Sequence, residues 1–209
     1  DQLKSGVLRF RKADDAEIYV RALWDEQNIY VCWEVRDTTP WKNGAGDMKM
    51  MYVGGDTVDF QVGANPQADP KRSEAVEGDM RLSIGPFQGR AVAVVYRRVS
   101  REKKSAVFSS GVVREYAMDY VAPEENVRIK TRIEDRGYVV QAAIPWTVIG
   151  VTPRKGLVLR ADFGATHGDP GGTRTRLRTY WNNQHTGLVD DAVFELQMEP
   201  CNWGEIELD

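Results

Sequence analysis

Apolar and polar residues alternate in short segments that recur along the chain. In residues 28–36, for example, Ile29, Val31, Trp33 and Val35 fall on one side, and this period of two is typical of a β-strand. Eleven such strands are predicted, at 16–24, 28–36, 56–63, 79–85, 90–99, 106–114, 126–134, 137–144, 157–166, 173–181 and 204–208. Segment 90–99 is assigned to a strand because it is rich in β-branched residues. Helical signals are short, at 145–150 and 189–197.

About eleven strands and very little helix in 209 residues predict an all-β protein. We expect a single domain over residues 1–209, in which two antiparallel sheets pack face to face as an immunoglobulin- or jelly-roll-like β-sandwich. In the segment 135–146, Gly137 suits a hairpin turn, and Pro145 ends the strand and begins a helical turn closed by Gly150. Segments 37–55 and 65–78 lack clear periodicity and are predicted to be long loops, which often carry function.

Composition narrows the possible classes of protein. Hydrophobic residues make up 42% of the chain and charged residues 28%, as in a globular protein with a core. The net charge of −3 offers no general attraction to nucleic acid, and no stretch of about 18 apolar residues indicates a membrane span. Because the sequence begins at Asp1 without a signal peptide, we expect a processed protein or an excised domain. Cys32 and Cys201 are compatible with one disulfide or with two unpaired thiols.

Catalytic motifs are not found in the sequence. It contains no HExxH, GxSxG, phosphate-binding glycine loop or CxxC. The two histidines, His167 and His185, lie in segments that read as turns or loops, and nothing in their spacing requires them to converge. The sequence therefore predicts a protein that is not an enzyme.

Four segments together resemble the family 9 carbohydrate-binding modules. They are "ALWDEQNIYVCWEVRD" (22–37), "GGDTVDFQVG" (54–63), "DRGYVVQAAIPW" (135–146) and "LRADFGATHGDPGGTRTRLRTYW" (159–181), in the family's order. The resemblance implies a non-catalytic module that binds an oligo- or polysaccharide. Such a module would serve a secreted, extracellular or periplasmic, polysaccharide-processing protein and could adjoin other domains of a larger chain. Gln141 departs from the family's usual glutamate, and loop 37–55 is unusually rich in methionine.

The resemblance also implies a site in which two tryptophans clamp a sugar. Trp41 and Trp181 match in order, and Trp24 could replace Trp41, whereas Trp33 and Trp146 are expected to be buried. Indole rings stack on the C–H faces of sugars, and planar amides and charged groups bind the hydroxyl rim. The expected rim residues are Asp47, Arg81, Asn182, Asn183 and Gln184.

Other interpretations remain open. Family 9 modules carry structural calcium, for which Asp37, Asp56 and Asp169 are the first candidates here, followed by Asp47 and Asp190. Related DOMON-type domains bind haem through a methionine and a basic or histidine side chain. The cluster of Met48, Lys49, Met50 and Met51 is compatible with that alternative, although methionine clusters more often fill gaps in a core. The late strand carries three arginines at alternate positions, Arg174, Arg176 and Arg178. This pattern favours a solvent-exposed edge strand, and the alternative is a row of cations that binds acidic sugars. A structural or docking domain without a small ligand is a further alternative.

Overall fold

The computed structural model describes residues 6–14, 16–109, 115–183 and 194–209, and fourteen strands dominate this part of the chain. The strands are β1 (Leu8–Ala13), β2 (Ala16–Trp24), β3 (Asn28–Arg36), β4 (Thr57–Gly63), β5 (Asp79–Phe87), β6 (Arg90–Arg97), β7 (Ala106–Ser109), β8 (Glu115–Met118), β9 (Tyr120–Pro123), β10 (Arg128–Glu134), β11 (Gly137–Pro145), β12 (Val158–Gly168), β13 (Thr175–Tyr180) and β14 (Gly204–Glu207). Two single-turn helices, α1 (Met51–Gly54) and α2 (Trp146–Ile149), accompany them, with 3-10 turns at Met48–Met50, Phe194–Leu196 and Pro200–Asn202.

The strands form the predicted antiparallel sandwich. One sheet has five strands in the order β1-β2-β3-β11-β10, and the other has the order β13-β12-β4-β5-β6-β9, with β14 also paired to β12. All the strand pairs in these two sheets are antiparallel. Strands β7 and β8 form a separate hairpin. The all-β fold class is therefore confirmed.

The main core lies between the two sheets. Alternate residues of β3 point into it, and Trp33 is fully buried there, as predicted. On the facing sheet, the rings of Phe60 and Phe163 stack with centroids 5.0 Å apart. Burial of these alternating apolar side chains is what fixes the register, because a slip of one residue would turn each of them to the opposite face.

A second core covers the outer face of the seven-stranded sheet. Its members include Met51 and Tyr52 from α1, Phe108 from β7, and Leu196 and Trp203 from the C-terminal segment. With both of its faces covered, all seven residues of β4 are buried. Polar side chains on the outward face of this sheet are consequently buried as well.

The proline-tryptophan element at the end of β11 closes one end of the sandwich. Pro145 ends the strand, α2 follows, and Gly150 caps α2 in the left-handed region at φ 85°. The main-chain N–H of Trp146 donates to the carbonyl of Gln27 at 3.0 Å, and Trp146 is buried, as predicted. The element therefore joins β11 to the β2–β3 turn.

Several local predictions were wrong or incomplete. Strands β1, β8 and β9 were not predicted, and the loop assigned to 37–55 contains the helical turns at 48–54. His167 lies within β12 and not in a turn. Strand 106–114 is observed as Ala106–Ser109, and the helical signal at 189–197 as Phe194–Leu196. Residues 110–114, 184–193 and with them His185 lie outside the described ranges.

Both cysteines are free thiols. Of the two alternatives that the sequence allowed, a disulfide or two unpaired thiols, the structure therefore has the second. Cys32 is half-buried and Cys201 is exposed. Among the residues described, no helix has both the length and the apolar character needed to cross a membrane.

Candidate functional site

Trp41 closes one end of the main core. Its ring centroid lies 4.3 Å from that of Tyr138, with the two planes inclined by 46°, and the side chain is half-buried. The loop keeps this position because the Asn43 amide donates to the carbonyls of Met51, at 2.7 Å, and Asp56, at 3.2 Å. Trp41 therefore packs on the domain along much of its surface.

Asp47 lies in the same loop and is exposed. It is the N-cap of the 3-10 turn Met48–Met50, where its carboxylate accepts a hydrogen bond from the main-chain N–H of Lys49 at 2.9 Å. Side-chain oxygens at this position satisfy an N–H that the turn itself leaves without a partner. The evident local role of Asp47 is thus to begin the turn.

Trp181 follows β13 and borders the main core from the seven-stranded sheet. Its main-chain N–H donates to the carbonyl of Phe163 at 2.9 Å, and the two aromatic rings are 6.4 Å apart. The indole also lies against Gly204, where a Cβ would come within 2.6 Å of the ring. Trp181 is half-buried, so the residue is partly accessible to solvent.

Asp162 fixes the segment that carries Trp181. Its buried carboxylate accepts hydrogen bonds from the main-chain N–H groups of Asn182, at 3.0 Å, and Asn183, at 2.9 Å. Burial raises the pKa of Asp162 to about 7, although the hydrogen bonds from the main chain act in the opposite direction. The segment after β13 is thus held by a side chain from β12.

The amides that follow Trp181 differ in exposure. Asn182 is exposed and its side-chain amide lies over Gly204, whereas Asn183 is buried. Gln184 lies outside the described residues. Of the three expected rim amides, Asn182 is the one that the structure places at the surface beside the indole.

The strand register separates Trp41 from Trp181. The side chain of Lys42 lies against Gly172, in the turn before β13, whereas Trp181 follows the last residue of that strand. Six residues of β-strand span roughly 20 Å. The two tryptophans thus lie at opposite ends of β13, and this register does not favour the shared slot expected from the sequence.

Trp24 lies closer to the surroundings of Trp181. It ends β2 on the inner side of the five-stranded sheet and, with Phe163, lines a cleft of about 420 Å³ between the two sheets. Phe163 therefore links the two tryptophans, because it faces this cleft and also contacts Trp181. Glu205 and Glu207 of β14 border the cleft, but the alternation along β14 places them on the side opposite the buried Ile206, and Glu205 lies 3.6 Å from Arg160.

Sequence reasoning did not single out Glu205 and Glu207. The alternation in "GEIEL" indicates an ordinary strand, and only the pairing of β14 with β12 brings these residues to the cleft. No local signal in the sequence could have identified them.

Arg81 is buried and does not form part of an open rim. It pairs with Asp59 at 2.7 Å and donates to the Ser83 hydroxyl at 3.1 Å and to the Glu195 carbonyl at 2.6 Å. Burial alone would lower the pKa of Arg81, but the charge and hydrogen bond of Asp59, together with the neighbouring Tyr180 and Tyr96, raise the pKa overall. The expectation of an exposed sugar contact is corrected here, because residues 194–196 cover this face of β5.

Arg178 lies beside Arg81, and its burial breaks the arginine stripe expected along β13. Arg174 and Arg176 are exposed, whereas Arg178 contacts the Glu195 carboxylate and donates to the Tyr52 carbonyl at 2.5 Å. Burial and the nearby charge of Arg81 lower the pKa of Arg178 to about 9, so it stays charged at neutral pH. Strand β13 is an edge strand, as expected, but its arginines form neither a solvated row nor a cationic stripe.

The fold has counterparts among solved structures. The chain is similar over its whole length to a family 9 carbohydrate-binding module from Caldicellulosiruptor kristjanssonii in complex with cellotriose, at 17% identity and a TM-score of 0.55, covering 86% of that chain. This chain has a fold like that of the family 9 carbohydrate-binding modules.

A family 9 module from the same organism in complex with glucose gives 16% identity and a TM-score of 0.55, covering 100% of this chain and 87% of that chain. A Bacteroides uniformis protein, provisionally described as carbohydrate-binding, gives 12% identity and a TM-score of 0.53, covering 97% and 85%. No family model matches the sequence, and no curated protein does.

The carboxylates expected to bind calcium in this family 9 fold already have protein partners. Asp37 accepts hydrogen bonds from the N–H and hydroxyl of Thr39, at 2.8 and 2.7 Å, and lies 2.7 Å from His167 Nδ1. Burial would raise the pKa of Asp37, but the contact with His167 and the hydrogen bonds from Thr39 together lower the pKa. The Asp37 carboxylate is thus engaged by a buried imidazole and by the Thr39 donors, and it does not form a cluster of calcium ligands with other acidic side chains of the described ranges.

Asp56 and Asp169 are occupied in the same way. Asp56 accepts from the main-chain N–H groups of Lys42, at 3.0 Å, and Gly168, at 2.8 Å, while Asp169 binds the N–H and hydroxyl of Thr173 at 2.6 and 2.9 Å. Within the described ranges, no group of three or more His, Cys, Asp or Glu side chains is placed to hold a metal ion. Asp190 lies outside those ranges.

The methionine cluster serves packing. Met51 is fully buried in the second core, and Met48 and Met50 pack against it. His167 is buried with its Nε2 3.1 Å from the Thr179 hydroxyl and its Nδ1 bound to Asp37, so neither nitrogen is directed at an open position. These residues do not fit an axial ligand pair for haem.

Proposed function

We propose that this protein binds carbohydrate non-catalytically, as an accessory module of a secreted polysaccharide-processing protein. One observation carries the proposal: the whole chain shares its fold with family 9 modules whose structures contain cellotriose and glucose. Fold alone does not define a ligand, so the proposal also rests on a surface with the right chemistry.

That surface is the neighbourhood of Phe163, where Trp24 lines the cleft and Trp181 is partly accessible to solvent. A saccharide would stack its C–H face on an indole, where dispersion and the apolar contact favour it. The exposed Asn182 amide would then bind hydroxyl groups at the edge of the sugar. Trp41 would support the fold at the other end of β13.

Affinity should be modest. The cleft lies at the lower end of the size range of ligand pockets, and a short sugar would make a few stacking and hydrogen-bonding contacts there. Each contact displaces water that was already bound to polar groups. We expect dissociation constants in the micromolar range or weaker.

Calorimetric titration with glucose and cellotriose tests the proposal. Trp181→Ala and Trp24→Ala should each weaken binding by about tenfold or abolish it, because each removes a stacking surface. Trp41→Ala is the matched control: it should lower the midpoint of urea unfolding and leave the dissociation constant unchanged. Circular dichroism must show that all three variants are folded.

Two results would contradict the proposal. If the parent protein binds neither sugar nor any other neutral glucan, a structural or docking role becomes the better interpretation. If Trp41→Ala abolishes binding while Trp181→Ala and Trp24→Ala do not, the sugar site lies at the other end of the sandwich.

A further inference from the structure

The outer face of the five-stranded sheet carries an open trough. Strand register aligns the outward residues of β2, β3, β11 and β10 in two adjacent rows: Leu23, Tyr30, Ala143 and Arg128 in the first, and Arg21, Cys32, Gln141 and Lys130 in the second. Together they line a depression of about 750 Å³. It shares only Leu23 with the cleft beside Trp24.

The floor of the trough is largely apolar and solvated. Leu23 is 75% exposed and Tyr30 36% exposed, which is unusual for large apolar side chains on adjacent strands of one face. Short side chains at Cys32 and Ala143 keep the centre low. The Tyr30 hydroxyl donates to the Asp25 carboxylate at 2.7 Å, which holds the ring in place as a fixed contact surface.

Cations stand on both flanks of this floor. Arg21 projects from β2 on one side, and Arg128 and Lys130 project from β10 on the other, three strand spacings or roughly 14 Å away. None of the described residues that line the trough is acidic. Arg21 lies 3.5 Å from Glu34 beside the trough, so the positive charge of the trough is concentrated on the β10 side, at Arg128 and Lys130.

These features select the chemistry of a ligand. An apolar floor with a fixed aromatic ring suits the C–H face of a sugar, and flanking guanidinium and ammonium groups suit carboxylates. With Arg21 paired to Glu34, Arg128 and Lys130 are the cations that face a ligand, and two cations beside an apolar floor match a polysaccharide with one negative charge per sugar better than a densely sulfated one. Single-stranded nucleic acid would call for several aromatic side chains in succession, whereas Tyr30 is the aromatic residue in this lining.

We propose that this trough is a second binding surface, and that it takes a polysaccharide containing uronic acid units. The chain would lie over Tyr30, with its carboxylates toward Arg128 and Lys130. Because the trough lies on the outer face of its sheet, this proposal does not depend on sugar binding at the cleft beside Trp24.

Affinity electrophoresis in gels containing polygalacturonate, and titration with its oligomers, test the proposal. The double variant Arg128→Glu/Lys130→Glu should weaken binding by about tenfold or more, since it reverses two exposed charges. Tyr30→Ala should weaken it similarly, while Tyr30→Phe should retain binding. Arg132→Glu is the matched control, because Arg132 lies on the same strand and face but pairs with Glu134 outside the trough; it should bind as the parent does.

The remaining outcomes also decide the matter. Trp181→Ala should retain binding to polygalacturonate even where it loses binding to cellotriose. Equal retardation of the parent and the double charge-reversal variant would overturn the proposal. So would tighter binding of heparin than of polygalacturonate, or binding of an acidic peptide or single-stranded DNA in place of the polyuronate.

Discussion

The indole N–H of Trp146 donates to the main-chain carbonyl of Asp25 at 2.8 Å. The two residues are far apart in sequence, and this bond joins the end of β11 to the turn between β2 and β3. Asp25 is itself tied into that turn, because its carboxylate accepts from the N–H groups of Gln27 and Asn28 at 2.8 and 2.7 Å. One end of the sandwich is thus closed by a buried ring and a few directed hydrogen bonds.

Trp146→Phe should therefore lower the free energy of unfolding by about 1–2 kcal/mol, the cost of losing a buried donor and leaving the Asp25 carbonyl with one partner fewer. Urea unfolding followed by circular dichroism would measure the change. Sugar binding should be unaffected, since Trp146 is buried. An unchanged unfolding midpoint would show that the hydrogen bond between Trp146 and Asp25 does not contribute to stability.

Much of the fold could be predicted because its signals are local. The alternation in β3 and β11, the glycine turn before β11 and the proline that ends it each report on neighbouring residues, and all three were confirmed. Strand β1 shows the same alternation, with Leu8 and Phe10 buried and Arg9 and Arg11 exposed, but in a segment too short to be predicted as a strand.

The candidate site was harder to predict because burial on an outer face is not a local property. The alternation of Arg174, Arg176 and Arg178 predicts that all three share one side of β13. The sequence shows neither the shift of register between Thr175 and Leu177 nor the residues 194–196 that cover Arg178. In the same way, Arg81 looks like any charged residue on a solvated strand until its partner Asp59, from β4, is known.

The Asp59–Arg81 ion pair provides a second prediction. Both side chains are fully buried, and the Asp59 carboxylate also accepts from Ser83, at 2.5 Å, and from Tyr180. Asp59→Ala should lower the free energy of unfolding by about 3–5 kcal/mol, because it leaves a buried guanidinium without its counter-charge. Chemical denaturation measures the loss.

A control for this prediction replaces the exposed pair member Glu134, which contacts Arg132 at 2.6 Å. Glu134→Ala should change the free energy of unfolding by less than about 1 kcal/mol, since exposed ion pairs contribute little. If Asp59→Ala lowered the free energy of unfolding as little as Glu134→Ala does, water or a rearrangement would have to compensate the buried charge of Arg81.

Gly137 provides a third prediction, based on space as well as on backbone conformation. Its φ is 131°, and a Cβ there would lie 1.9 Å from the Val35 carbonyl oxygen in the paired strand. Gly137→Ala should cost about 3 kcal/mol or more, because the β3–β11 pairing must open to admit the methyl group. Thermal unfolding is the simplest measurement.

Gly156 is the matched control for Gly137. It also has a positive φ, 77°, but nothing lies within 4 Å of the position that a Cβ would take. Gly156→Ala should therefore cost only the conformational penalty of about 1–2 kcal/mol. Equal losses in the two variants would mean that backbone strain, and not the clash with Val35, dominates at Gly137.

The fourth prediction concerns pH. Burial raises the pKa values of Asp56 and Asp162 to about 7 in the folded protein, from an ordinary value of 3.8. The folded state holds these two protons more tightly than the unfolded chain does. Their contribution to stability is therefore complete below about pH 4 and is lost as the pH rises to about 7, at up to about 1.4 kcal/mol per pH unit for each group.

Urea unfolding at intervals between pH 5 and pH 8 should accordingly show stability falling toward neutrality and levelling above pH 7. Asp162→Asn should remove its share of this slope, although the variant will be less stable throughout because the amide cannot accept all the main-chain hydrogen bonds that the carboxylate accepts. Asp169→Asn is the control: hydrogen bonds from the main chain of Thr173 and Arg174 lower the pKa of this exposed carboxyl, so its titration lies below the measured range and the slope should stay as in the parent. A parent slope that rises with pH would mean that the main-chain donors around Asp162 outweigh its burial.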